Sequence, residues 1–165
     1  MDRRTFNVRP DRRAKGVESM AVKTELDHIF EDKTLVIFGV STTNAGKFGN
    51  RIFHFFQERG REIYAVNPKF SEDAGENRFR SLQELPVKPD IAVLVTPPEQ
   101  SVKITESLAG SSVKKIWYQQ GSSDRRVTET AETLGFEYIA EECVFMHQHP
   151  VSGIHGVHRW IKKLF

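Results

Sequence analysis

The stretch from Gly39 to Asn50, GVSTTNAGKFGN, has the residue types of an anion-holding loop. Glycines at 39, 46 and 49 let backbone come close to a ligand, Ser41 offers a hydroxyl, and Lys47 supplies a positive charge just before the helical pattern begins at Phe48. A helix N-terminus adds unpaired N–H groups and a positive dipole end, so a phosphate is the natural guest. Two familiar phosphate loops do not fit. A P-loop has four residues between its glycines and Ser or Thr after the lysine, whereas six separate Gly39 from Gly46 and Phe48 follows Lys47. The dinucleotide fingerprint has a second glycine where Ser41 stands.

Three further stretches carry polar or small residues. Asn67-Pro68-Lys69 follows the apolar run EIYAV, where a dinucleotide-binding chain would have an acid for a ribose hydroxyl. Lys69 instead suits a phosphate on the ribose, a description met by NADP and by coenzyme A. Thr96-Pro97 follows IAVLV and offers a hydroxyl beside a rigid apolar edge. KKIWYQ ends in Gln119, and Gln119-Gln120-Gly121 offers amides and a second close backbone approach.

These stretches gain meaning from the elements that carry them. TLVIFGV (34–40) is an almost continuous apolar, β-branched run, the pattern of a strand buried on both faces. Phe48, Ile52, Phe55 and Phe56 recur at helical spacing, and Gly60 stands where that helix stops. Strands are predicted at EIYAV, IAVLVT (91–96), KKIWYQ (114–119) and FEYIA (136–140). Helices are predicted at 20–30, 98–109, 123–134 and 153–164. Residues 70–79 read as a surface loop leading to a brief turn at Ser81–Leu85. The expectation is a single α/β domain with a Rossmann-like, doubly wound, parallel five-stranded sheet. Such sheets bind ligands outside the carboxyl ends of their strands, where all four stretches fall.

Composition narrows the setting. The 165 residues suffice for one core, and the net charge of +2, from 24 basic and 22 acidic residues, gives no global field to recruit nucleic acid or membrane. No run of apolar residues is long enough to span a bilayer. The single cysteine, Cys143, allows no intramolecular disulfide and suits a reducing compartment, so the cytoplasm is expected. Residues 1–19 carry six basic residues and no period, and read as a flexible basic arm ahead of a domain over 20–165.

In combination, Gly39-Val40-Ser41 with Lys47-Phe48-Gly49-Asn50-Arg51, Val66-Asn67-Pro68-Lys69, the turn from Ser81 to Pro86, Thr96-Pro97-Pro98, Trp117 to Gly121, and Cys143 resemble a known family. It is that of the small, stand-alone CoA-binding domain proteins, similar to the amino-terminal domain of the succinyl-CoA synthetase alpha subunit. The resemblance covers roughly residues 30 to 165 and implies a Rossmann-like fold holding CoA or an acyl-CoA. It implies that Ser41 to Asn50 face the phosphates, that Asn67 to Lys69 serve the ribose 3′-phosphate, and that Thr96 and Pro97 lie beside the adenine or pantetheine. The synthetase's phosphohistidine and nucleotide-grasp parts lie in other domains, so ligase activity is not implied.

Little points to catalysis. No Ser-His-Asp order, HExxH or nucleophile elbow occurs, and Glu141-Glu142 reads as a solvated turn. His147, His149, His155 and His158 have no carboxylate or cysteine at a recognisable ligand spacing, so no metal site is expected. Their aromatic neighbours make the last twenty residues a candidate homodimer surface. Cys143 reads as a small buried apolar residue, with a mixed disulfide to the CoA thiol as the sharper alternative. The expectation is a binding or regulatory module without turnover. An NADP-binding oxidoreductase or redox sensor is the alternative.

Overall fold

The computed structural model describes residues 28–147. In chain order these form β1 (Leu35–Phe38), α1 (Phe48–Gln57), β2 (Ile63–Val66), β3 (Arg78–Phe79), β4 (Ile91–Leu94), α2 (Pro98–Ser107), β5 (Lys115–Gln119), α3 (Arg125–Leu134) and β6 (Glu137–Glu142). Short 3-10 turns occupy Leu82–Glu84 and Val144–Met146. The arm over 1–19, the helix expected over 153–164, almost all of the one expected over 20–30, and His149, His155 and His158 lie outside the described residues.

The strands make one parallel sheet in the order β3-β2-β1-β4-β5-β6. It has six strands where the sequence predicted five. The additional one is β3, within the stretch read as a loop, whose two half-buried residues pair with β2 at the sheet edge through Ala65↔Arg78 and Val66↔Phe79. Two residues cannot display an alternating period, which is why the pattern did not register. β1 lies at the centre, with Leu35 opposite Ile63 of β2 on one side and Ile91 of β4 on the other.

Burial on both faces explains the apolar runs. Leu35 and Ile37 pack with Ile63, Ala65, Val93 and Trp117 beneath Ile52, Phe53 and Phe56 of α1. Val36 and Phe38 point the other way, as the two-residue period of a strand requires, and pack with Leu94, Ile116, Tyr118, Val127 and Ala131. Thus α1 covers one face and α3 the other. Phe30 and Val144–Met146 complete the first layer, and the fully buried Trp117 ring lies 5.2 Å from that of Phe30. Helix ends follow local chemistry. Asp124 caps α3 by accepting from the Val127 N–H at 3.1 Å, and Gly135 ends it with φ of 77°. No helix of the described residues is long and apolar enough to cross a membrane.

The second layer holds a buried polar chain. Thr96 and Ser101 hydroxyls lie 2.8 Å apart, Thr105 donates to the Ser101 carbonyl at 2.7 Å, and its oxygen is also 2.7 Å from the Tyr118 hydroxyl. Burial pushes the Tyr118 phenol up to about 12, although the Thr105 hydrogen bond opposes this. The folded chain therefore keeps a proton that the unfolded chain releases near 10. Stability is fully present below that pH and falls as pH rises towards 12, by roughly 2.7 kcal/mol for a two-unit shift. Tyr118→Phe should lower stability by about 1 kcal/mol at neutral pH and flatten that decline. Urea unfolding of both proteins between pH 9 and 12 checks this, and parallel slopes would contradict it.

Candidate functional site

Because every strand is parallel, all six carboxyl ends lie along one rim. From β1 the chain crosses to β2 and β3 on one side, and later places β4, β5 and β6 on the other. The strand order therefore reverses between β1 and β4, where a doubly wound sheet has its crevice. Gly39, Val40 and Ser41 follow β1 there, and Thr96 and Pro97 lie just beyond the end of β4.

The β1–α1 connection is built around two missing side chains. Gly39 has φ of 105°, and a Cβ on it would overlap the carbonyl oxygen of Val95 and lie 2.7 Å from its carbonyl carbon. A Cβ on Gly49 would overlap the Gly39 carbonyl in the same way. The first turn of α1 consequently rests directly on the end of β1. Asn50, 5% exposed, locks the contact: its Oδ1 accepts from the Ser41 N–H at 2.8 Å and its Nδ2 donates to the Ser41 carbonyl at 3.0 Å.

The exposed loop is tied by its own side chains. Ser41 Oγ accepts from the N–H groups of Thr43 and Asn44 at 3.3 and 3.2 Å, and Asn44 Oδ1 accepts from Gly46 at 2.9 Å. No side chain caps α1, and its first turn contains no acid. With Lys47 exposed at its N-cap, this end of α1 keeps its positive dipole end for an anion. Phe48 is half-buried, edge-on to the Phe145 ring at 5.4 Å.

At the end of β2, Asn67 bridges two strands. Its Nδ2 donates to the Val40 carbonyl at 2.8 Å and its Oδ1 accepts from the Lys69 N–H at 3.0 Å. The backbone of Lys69 is thereby fixed while Pro68 and the lysine side chain stand exposed. Thr96 is buried with its hydroxyl against Ser101, leaving Pro97 as the exposed edge of the β4 end. Gln120 and Gly121 are exposed in a tight turn closed by the Ser122 N–H donating to the Gln119 carbonyl at 2.7 Å.

The topology thus gathers the residues expected from the sequence onto one rim, but divides them by task. Lys47, Lys69, Pro97, Gln120 and Gly121 are exposed, whereas Asn50 and Asn67 spend their amides on the backbone. Sequence reasoning missed the Ser101–Thr105–Tyr118 chain behind Thr96. The only advance signal was the spacing of Ser101 and Thr105, one helical turn apart. Cys143 is a buried free thiol packed with the first layer. His147 is buried, with Nε2 3.1 Å from a Glu142 carboxylate oxygen. Among the described residues no group of three His, Cys, Asp or Glu could hold a metal ion.

Compared with known families, residues 33–149 match the CoA binding domain. Two curated relatives are ADP-forming acetate–CoA ligases. The chain is 26% identical over 131 residues to ligase I of Archaeoglobus fulgidus, a match covering 73% of this chain and 19% of the ligase. It is 32% identical over 134 residues to the Methanocaldococcus jannaschii ligase, covering 76% of this chain and again 19% of the relative. The chain therefore spans about a fifth of either ligase. A solved structure, a conserved hypothetical protein from Pyrococcus furiosus, is 30% identical with a TM-score of 0.61, covering 68% of this chain and 96% of that one.

The geometry gives Asn50 a measurable part in holding the loop. Asn50→Ala removes two hydrogen bonds from buried surroundings and should cost about 2 to 4 kcal/mol in urea unfolding. Amide exchange over 41–47 should quicken in the same variant. An unchanged unfolding midpoint would show that the loop holds itself.

Proposed function

We propose that this chain, which belongs to the CoA binding domain family, holds coenzyme A or an acyl-CoA across the carboxyl ends of β2, β1, β4 and β5. The observation that carries the reading is the uncapped N-terminus of α1, seated on Gly39 at the switch point beside Lys47. The diphosphate would meet the α1 N-terminus, the Ser41–Gly46 loop and Lys47. The ribose 3′-phosphate would meet Lys69, whose backbone Asn67 holds in place. Pro97 would form an apolar wall beside the pantetheine, and the Gln120–Gly121 turn would border it on the far side.

The same reading makes the chain a binding or regulatory module. Its match to the ligases covers 19% of their length. A cytoplasmic setting agrees with a single cysteine kept as a buried free thiol. Lys69 would equally suit the ribose phosphate of NADP, so the two ligands must be compared directly.

A thermal-shift titration with CoA, dephospho-CoA, NADP and NAD does this. Ligand at a hundred times its dissociation constant stabilises by about 2.7 kcal/mol, a shift on the order of 5 °C for a domain of this size. The reading predicts the largest shift for CoA, and a larger shift for NADP would overturn it. Lys69→Ala should weaken CoA by roughly ten- to a hundredfold, the worth of a charge-assisted hydrogen bond of about 1.5 to 3 kcal/mol, while leaving dephospho-CoA nearly unchanged. Lys47→Ala should weaken both. Equal weakening of both ligands by Lys69→Ala in calorimetric titration would remove Lys69 from the 3′-phosphate.

A further inference from the structure

Two polar side chains at the end of β5 are more than nine-tenths buried yet hold unspent hydrogen-bonding capacity. Gln119 is 4% exposed, and its Oε1 accepts from the Val144 N–H at 3.1 Å, which assigns the amide's orientation. Both N–H donors on its Nε2 are then left without a protein acceptor among the described residues. Ser122, also 4% exposed, has a hydroxyl with no protein partner among them. The two residues begin and end one tight turn, in which Gly121 takes φ of 83°, the value of the third position in a type II turn. Their α-carbons are therefore within about 7 Å of each other. Neither Gln119 Nε2 nor Ser122 Oγ is among the fully buried polar atoms that lack a partner, so the little surface these two side chains keep brings their unspent donors to the rim, where an acceptor can reach them.

Resting on the CoA reading above, we infer that Gln119 Nε2 and Ser122 Oγ form a station for an amide carbonyl of the pantetheine arm, and that they select pantetheine-bearing ligands over bare nucleotides. Position along the rim supports this. β5 stands two strands from β1 across β4, and neighbouring strands are about 4.8 Å apart, so the station lies roughly 10 Å from the loop assigned to the diphosphate. That distance falls along the extended arm, which carries two amide carbonyls as strong acceptors. Lys69, on the opposite side of β1, would hold the nucleotide end. The ligand thus crosses the rim from β2 to β5, with its charged end on the side of the two lysines and its neutral arm over Pro97.

Ser122→Ala removes only the hydroxyl and should leave the melting temperature unchanged. Gln119→Glu keeps an oxygen for the Val144 N–H and replaces the donors with an acceptor. Calorimetric titration of the full chain would use CoA and, as the probe without the arm, 3′-phosphoadenosine 5′-diphosphate. The wild type should bind CoA more tightly. Ser122→Ala should weaken CoA about three- to tenfold and Gln119→Glu by more, with the pantetheine-free nucleotide bound as in the wild type. Wild-type affinity for CoA in both variants would overturn the inference, as would equal weakening of both ligands. Absence of binding to either ligand by the wild type would instead overturn the CoA reading, and this inference with it.

Discussion

The contact between the first turn of α1 and the end of β1 is the constraint around which the rim is arranged. Gly49 faces the carbonyl of Gly39, and Gly39 faces the carbonyl of Val95, with no room for a Cβ at either position. This chain of close approaches joins α1, β1 and the end of β4. Asn50 then adds two hydrogen bonds to Ser41, each worth roughly 0.5 to 1.5 kcal/mol net. Their more important effect is geometric, because they set where the loop leaves the strand. A larger residue at Gly49 would lift the helix end away from the end of β1.

The sheet converts that local contact into a surface. Parallel pairing sends every strand end to the same rim, and the reversal of strand order at β1 and β4 opens a crevice between loops that turn to opposite faces. Asn67 ties β2 to this arrangement through the Val40 carbonyl, and the Thr96–Ser101–Thr105–Tyr118 chain ties β4 to α2 and β5. Exposed lysines stand beyond β1 and β2, while the β5 end offers neutral groups. A ligand with an anionic nucleotide and a neutral, amide-bearing arm matches that gradient of chemistry.

Most of the fold was legible because parallel strands buried on both faces leave continuous apolar runs: LVIF, IYAV and IAVL are buried at every position. β3 was not legible, since Arg78-Phe79 is too short for any period and is defined by its pairing alone. The rim residues were legible as types but not as tasks. Asn50 and Asn67 look like ligand contacts in the sequence, and only the fold reveals that both amides are spent on backbone. Gln119 was legible as an amide at a strand end, but not how that amide is divided. Its unspent donors emerge only when Val144 is brought beside it from 25 positions away.

Hydrogen–deuterium exchange with and without CoA tests the central claim, that the ligand lies across the carboxyl rim at the β1–β4 switch point. Protection should rise over 39–50, at 67–69 and in the 119–122 turn, with the amino ends of the strands near Lys33, Lys88 and Lys114 unchanged. Protection concentrated at those amino ends, or CoA binding that leaves 39–50 unaltered, would contradict the account.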